Sequence, residues 1–178
     1  KANGVVWVKG AGSFKDANTL AVDGGEDVKF KSAVIATGSF PIQPPIPGLE
    51  SDLCVDSTGL LAQTEVPKRL VILGGGIIGC EFASIFNRFG SDVTIIELLP
   101  RLVPVEDEAV SAELEKTFRK QGITSHTGAK VTSAKAGADA VDVDILLADG
   151  TTKQIRTDYL LVATGRAPVT TRLNAKAA

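Results

Sequence analysis

The sequence is short of the residues that usually advertise chemistry. Methionine is missing from all 178 positions and the first residue is Lys1, so an internal fragment of a longer protein is expected. The cysteines, Cys54 and Cys80, lie far apart with no second pair, which points away from a disulfide framework and from a zinc site of C-x-x-C spacing. A reducing, cytoplasmic environment fits that usage, or the mitochondrial matrix if the source is eukaryotic. His126 is the single histidine and has no acid or nucleophile near it in sequence, so a structural role is expected rather than acid–base work. No apolar run reaches the roughly 18 residues of a membrane span, and no membrane partner is expected. Lys and Arg number 19 against 21 Asp and Glu, scattered rather than striped, which argues against nucleic acid.

What is present is a pattern of short apolar runs cut by glycine and proline. Residues 1–40 read as extended chain, with strands expected at 5–9, 20–22 and 28–36, a meander too small to bury a core alone. Pro41, Pro44, Pro45 and Pro47 make 41–48 a stiff linker. A short helix is expected at 57–63. From Arg69 strands at 70–73, 93–96 and 123–127 alternate with helices at 77–89 and 108–121, ended by Gly90 and Gly122. The first helix is apolar on nearly every side and is expected to be buried; the second is amphipathic. Strands at 130–135, 141–147 and 152–155 follow as a meander with an Asp149-Gly150 hairpin signal, and a last apolar strand is expected at 159–163. The fold class is α/β: a Rossmann-like three-layer domain over 49–168, of parallel sheet, helices and antiparallel β-meander, with 169–178 as a tail or return segment. "SAVIATGSFP" (32–41) and "YLLVATGRAP" (159–168) form a weak repeat, which suggests two related nucleotide-binding units with only the second complete.

The densest signal is "VILGGGIIGCEFASIFNRFGSDVTIIE", residues 71–97. A bare G-x-G-x-x-G is weak, but here it follows a strand, opens a helix and precedes a second strand ending in an acid. Gly74 permits the tight turn, Gly76 admits a pyrophosphate to the backbone, and Gly79 lets helix and strand pack closely. Gly75, outside that spacing, is expected to be the least necessary of the three consecutive glycines. The N–H groups of the first helical turn, with Ile77 and Ile78, would face the diphosphate. Glu97 would accept hydrogen bonds from an adenosine ribose and repel a 2′-phosphate, favouring NAD over NADP, although Arg101 four residues on stands against that preference. Cys80 is expected to be a small buried residue beside Gly79 rather than an activated thiol.

"VPKRLVILGGGIIGCEFASIFNRFGSDVTIIE", with "VIATGS", "STGLL", "RKQGITSHTGAKV" and "LLVATGRAP" in that order, resembles the middle of the dihydrolipoamide dehydrogenases, within the FAD-dependent pyridine nucleotide-disulfide oxidoreductases. "KANGVVWVKGAGSF" fits the same family, so the resemblance covers nearly the whole chain. It implies that 1–40 is the C-terminal part of an FAD-binding domain and 49–168 an NAD-binding domain. It places Glu81 near the nicotinamide, Val131 on the adenine side and Gly165 close to the nicotinamide, and assigns Gly12, Thr37, Gly38 and Ser39 to the flavin. For the intact parent it implies NAD(H), a lipoyl-bearing protein and a homodimer. The family's C-x-x-x-x-C redox disulfide and its catalytic histidine are not in these residues, so the chain alone is expected to bind NAD(H) weakly at most, to hold no FAD and to turn over nothing. An NADH oxidase, a glutathione-type reductase or a non-catalytic NAD-sensing Rossmann module are the alternatives.

Overall fold

A computed structural model describes residues 3–178. In chain order the elements are β1 (Gly12–Asp16), β2 (Thr19–Val22), β3 (Val28–Lys29), β4 (Ser39–Pro41), β5 (Cys54–Val55), α1 (Ser57–Leu61), β6 (Arg69–Leu73), α2 (Ile77–Arg88), β7 (Asp92–Ile96), α3 (Glu108–Lys120), β8 (Thr124–His126), β9 (Lys130–Ala136), β10 (Val141–Leu146), β11 (Thr152–Thr157), β12 (Tyr159–Val162), β13 (Arg166–Pro168) and a 3-10 turn at Ala175–Ala177. They fall into two units: residues 3–40 with Arg166–Ala178, and Pro41–Gly165.

In the larger unit a parallel sheet has the order β5-β12-β6-β7-β8. Its inner strands β6 and β12 read as nearly unbroken apolar runs because both faces are covered. Leu70, Ile72, Val93, Ile95 and Leu161 point to the side of α2 and α3, among Phe82, Ala83, Phe86 and Phe118. Val71, Leu73, Ile96, Leu160 and Val162 point the other way, onto Val131, Ala134, Val141, Val143 and Ile145 of the β11-β10-β9 meander. Adjacent residues of one strand thus serve two cores, and helices, sheet and meander make the three layers of an α/β fold. In β10 the alternation Val-Asp-Val-Asp-Ile puts Val141, Val143 and Ile145 at 0% exposure and the two aspartates outward. Asp144 there accepts from Ser133, Gln154 and Lys135, which pull its carboxyl down to about 2.

Helix α2 departs from expectation. It buries Gly79, Cys80, Phe82, Ala83 and Phe86, but Ile77, Glu81, Ile85 and Phe89 face outward. These four sit at successive four-residue steps, so they share the face turned away from the sheet, and a sheet can cover only one side of a helix.

In the smaller unit β1-β2-β3 is an antiparallel meander. It lies later in the sequence than expected. Residues 5–9 form no strand and 28–36 yields only Val28–Lys29. Strong β-formers do not make a strand without a partner to complete the ladder; Val6, Trp7 and Val34 are accordingly 83%, 83% and 93% exposed. The tails of the sequence repeat pair with one another, β4 with β13.

At the amino end of the parallel sheet Asp158 ties β12 to β6. Its carboxylate accepts from Arg69 N (2.9 Å), Nε (3.0 Å) and Nη2 (2.5 Å). Burial raises its pKa, but the hydrogen bonds and charge of Arg69 outweigh that and hold it below the usual value. A depressed carboxyl stabilises the fold above its ordinary pKa of about 3.9, and the contribution is lost as pH falls through the lower folded value. Asp158→Asn should therefore cost about 1–3 kcal/mol in urea unfolding at pH 7, with the gap between the two proteins narrowing as the pH falls below about 3.9. A gap independent of pH would contradict this assignment.

Candidate functional site

Between β6 and α2 the chain turns through three glycines, each under a different constraint. Gly74 donates its N–H to Ile96 O (2.9 Å) at φ 110°, and a Cβ there would come within 2.5 Å of Ala163 O. A Cβ on Gly79 would overlap the Gly74 carbonyl oxygen. At Gly76, the N-cap of α2, a Cβ would meet nothing within 4 Å. Gly75 overturns its expected dispensability. It is buried, its N–H donates to Glu97 Oε2 (2.6 Å), and its carbonyl accepts from Val103 N (2.7 Å) and Cys80 Sγ (3.3 Å). A Cβ would lie 2.5 Å from Leu102 Cδ2 and 3.0 Å from Glu97 Cβ. Motif spacing ranks glycines by their own neighbours, whereas the demand on Gly75 comes from residues beyond the next strand.

Glu97 directly follows β7 and is 8% exposed. Its Oε1 accepts from Leu99 N (2.8 Å), complementing the bond from Gly75 to Oε2. A carboxylate offers about four acceptor positions, so two remain for hydroxyls in the cleft. That cleft, about 490 Å³, is lined by Gly74, Gly76, Ile77, Glu97, Pro104 and Gly165, among others including Ile78. Helix α2 opens into it with no side chain capping its first N–H groups, whereas α1 is capped by Asp56 Oδ1 accepting from Gly59 N (2.7 Å). Unclaimed N–H groups and the positive helix end suit an anion, and the open space at Gly76 lets one approach. The donor and acceptor set fits a dinucleotide: N–H groups for a diphosphate, a fixed carboxylate for ribose hydroxyls.

Of the other expected site residues, Ile77, Ile78 and Gly165 come to this cleft. Glu81 is exposed one helical turn beyond Ile77 and is not among the lining residues, so its expected burial is corrected. Val131 is 1% exposed in the core between meander and sheet, which leaves its side chain no access to a ligand. In the smaller unit Gly12 lies in β1 opposite Val22. Thr37 Oγ1 donates to Val169 O (2.6 Å), Gly38 O accepts from Val169 N (2.9 Å), and Ser39 Oγ and O accept from Arg166 (2.8 and 2.7 Å). The groups assigned to a flavin are thus engaged by the chain itself.

Neither cysteine is poised as a nucleophile. Burial, then the charges of Glu97 and Glu115, push the Cys80 thiol up to about 11, and burial with Glu50 does the same for Cys54. Burial, then Lys153, lowers the pKa of His126, whose Nε2 is buried without a partner. Among the described residues no cluster of His, Cys, Asp and Glu could hold a metal ion, and no helix is long and apolar enough to cross a membrane. Sequence reasoning missed the loop at 98–107, which carries Leu99, Pro104 and Val105 to the cleft. Its one signal is the pair Pro100 and Pro104 in a stretch of no period. Arg101, the residue that stood against an NAD preference, donates Nη1 to Glu108 Oε1 (3.0 Å) and Nη2 to Pro104 O (3.1 Å) and Glu106 O (3.3 Å).

Comparison with known proteins agrees with this geometry. The chain is 42% identical to dihydrolipoyl dehydrogenase 3 of Pseudomonas putida over 98% of its own length and 38% of that protein's. It is 43% identical to the mitochondrial dihydrolipoyl dehydrogenase of Schizosaccharomyces pombe over 96% of its length and 34% of that protein's. It thus spans less than two fifths of the length of either relative. Its structure resembles that of the HOCl-induced flavoprotein disulfide reductase RclA from Escherichia coli, with a TM-score of 0.77 and 36% identity, covering 96% of this chain and 38% of that one. The family model for pyridine nucleotide-disulphide oxidoreductases matches residues 1–178, and the chain belongs to that family.

Proposed function

We propose that Pro41–Gly165 is the NAD(H)-binding portion of a flavoprotein disulfide reductase, and that the parent protein is a dihydrolipoamide dehydrogenase. The observation that carries this reading is Glu97, buried at the cleft and held by Gly75 and Leu99 beside the open backbone of Gly76. On this reading the first turn of α2 binds the diphosphate and Glu97 the adenosine ribose, with Gly165 toward the nicotinamide. A carboxylate at the ribose disfavours a 2′-phosphate, and Arg101, committed to Glu108 and two carbonyls, does not offset it. NAD bound there would accept a hydride. In the parent, oxidation of dihydrolipoamide at the family's redox disulfide would release two electrons and two protons; NAD would take up a hydride and the remaining proton would be released. The C-x-x-x-x-C pair that this needs is not in these residues. A lipoyl-bearing protein and a homodimeric parent belong to the same proposal. The likeness to the Escherichia coli reductase supports a second reading, a family member acting on another disulfide.

Titration of the 178-residue chain with NADH and NADPH should show weak binding with NADH the tighter; tighter NADPH would sink the role of Glu97. Dihydrolipoamide-dependent NAD reduction, or flavin absorbance in the purified chain, would show that the chemistry does not depend on further sequence. Gly76→Ala and Gly75→Ala separate ligand from fold. The first places its methyl in open space and should keep the unfolding midpoint while losing NADH binding. The second should destabilise by about 1–3 kcal/mol through overpacking. If Gly76→Ala binds NADH as well as the unsubstituted chain, the diphosphate does not lie there.

A further inference from the structure

The loop at 98–107 has no regular secondary structure, yet it is fixed at two levels. Its inner residues are anchored in the core. Leu102 and Val103 are 0% and 7% exposed, and Leu102 N donates to Glu115 Oε1 (2.9 Å). Val103 sits at φ 41°, a costly conformation for a β-branched residue, and is held there by its N–H bond to Gly75 O (2.7 Å) and by Ser111 Oγ donating to its carbonyl (3.4 Å).

The outer residues lack that anchorage. Val105 is 82% exposed, and Pro104 and Val105 form part of the wall of the cleft that Gly74, Gly76 and Glu97 also line. Within this arch Glu106 N donates to Val103 O (2.9 Å), and among the described residues the side chain that gathers it is Arg101, bonded to Pro104 O, Glu106 O and Glu108 Oε1. The planar guanidinium suits the task because its N–H groups leave in fixed, divergent directions. Glu108 is 87% exposed, so its ion pair adds little and the two carbonyl bonds carry the clamp.

We infer that Arg101 is a positioning residue for the nucleotide: it holds the 104–106 arch in place, so that Pro104 and Val105 stand as a preformed wall of the cleft. The inference rests on the nucleotide reading of that cleft. Because Nη1 is committed to Glu108 of α3 and Nη2 to the loop, Arg101 supports NADH and NADPH alike and does not choose between them. Its removal loosens the outer arch alone, since Leu102 and Val103 keep their own anchors.

The test compares Arg101→Ala and Glu108→Gln with the unsubstituted 178-residue chain, reading NADH and NADPH affinity by calorimetry, amide exchange at Val105 and Glu106, and the thermal midpoint. Arg101→Ala is expected to weaken both nucleotides by the same factor, roughly 3- to 10-fold from the cost of ordering the arch on binding. Exchange at Glu106 should quicken while the midpoint holds. Glu108→Gln should stay within about 2-fold, as befits an exposed ion pair. Unchanged affinity in Arg101→Ala, or a loss confined to NADPH, overturns the inference; the second result would make Arg101 a direct phosphate contact. If the unsubstituted chain binds neither nucleotide, the reading of the cleft falls instead, a failure separable from the first because exchange at Glu106 still reports whether Arg101 clamps the arch.

Discussion

The buried carboxylate of Glu97 ties the glycine turn to the start of the 98–107 loop, just where the β6–β7 ladder ends. A carboxylate at 8% exposure is costly unless hydrogen-bonded, and here two backbone N–H groups, from Gly75 and Leu99, satisfy it. Bonds to a charged acceptor are each worth about 1.5–3 kcal/mol, enough to fix the glycine turn against the end of β7. Once Gly75 is held, its carbonyl faces Val103 and its missing side chain makes room for Leu102. The path of the chain into α3 follows from those contacts. The same carboxylate reaches the cleft already oriented, so a ligand hydroxyl need not pay to order it.

Much of this was legible where burial imposes a simple period. Leu70–Leu73 could be read as a strand because both faces of a parallel sheet are covered, and Val141–Ile145 because only one face of the meander is. Gly74, Gly76, Gly79 and Glu97 converge as their spacing suggests, since strand, turn and helix leave few ways to arrange them. The failures share a cause. Residues 5–9 have the composition of a strand but no partner among the described residues, and Ile77, Ile85 and Phe89 have the composition of a core but lie on the uncovered side of α2. Local composition reports what a segment could bury, whereas its neighbours decide what is buried. Gly75 and the 98–107 loop were opaque for the same reason: their constraints run between residues remote in sequence.

The titratable groups divide cleanly. Both thiols sit near 11, so at neutral pH the chain presents essentially no thiolate, and burial and Lys153 lower the pKa of His126. What the larger unit offers at its cleft is acceptors, N–H donors and shape.

The position of β12 bears on how the chain acquires its fold. This strand, Tyr159–Val162, is the last of the parallel sheet in sequence, yet it lies between β5 and β6 with parallel partners on either side. Until it is made, β6 has an open edge and β5 has no neighbour. The nascent chain must therefore keep a gap between β5 and β6 while the whole β9–β11 meander is synthesised. Filling it late closes contacts of long sequence separation, a slow step during which exposed strand edges invite association. A chain stopped a few residues short of Tyr159 would lose an interior strand, leaving β6 as an edge and β5 with no partner in the sheet.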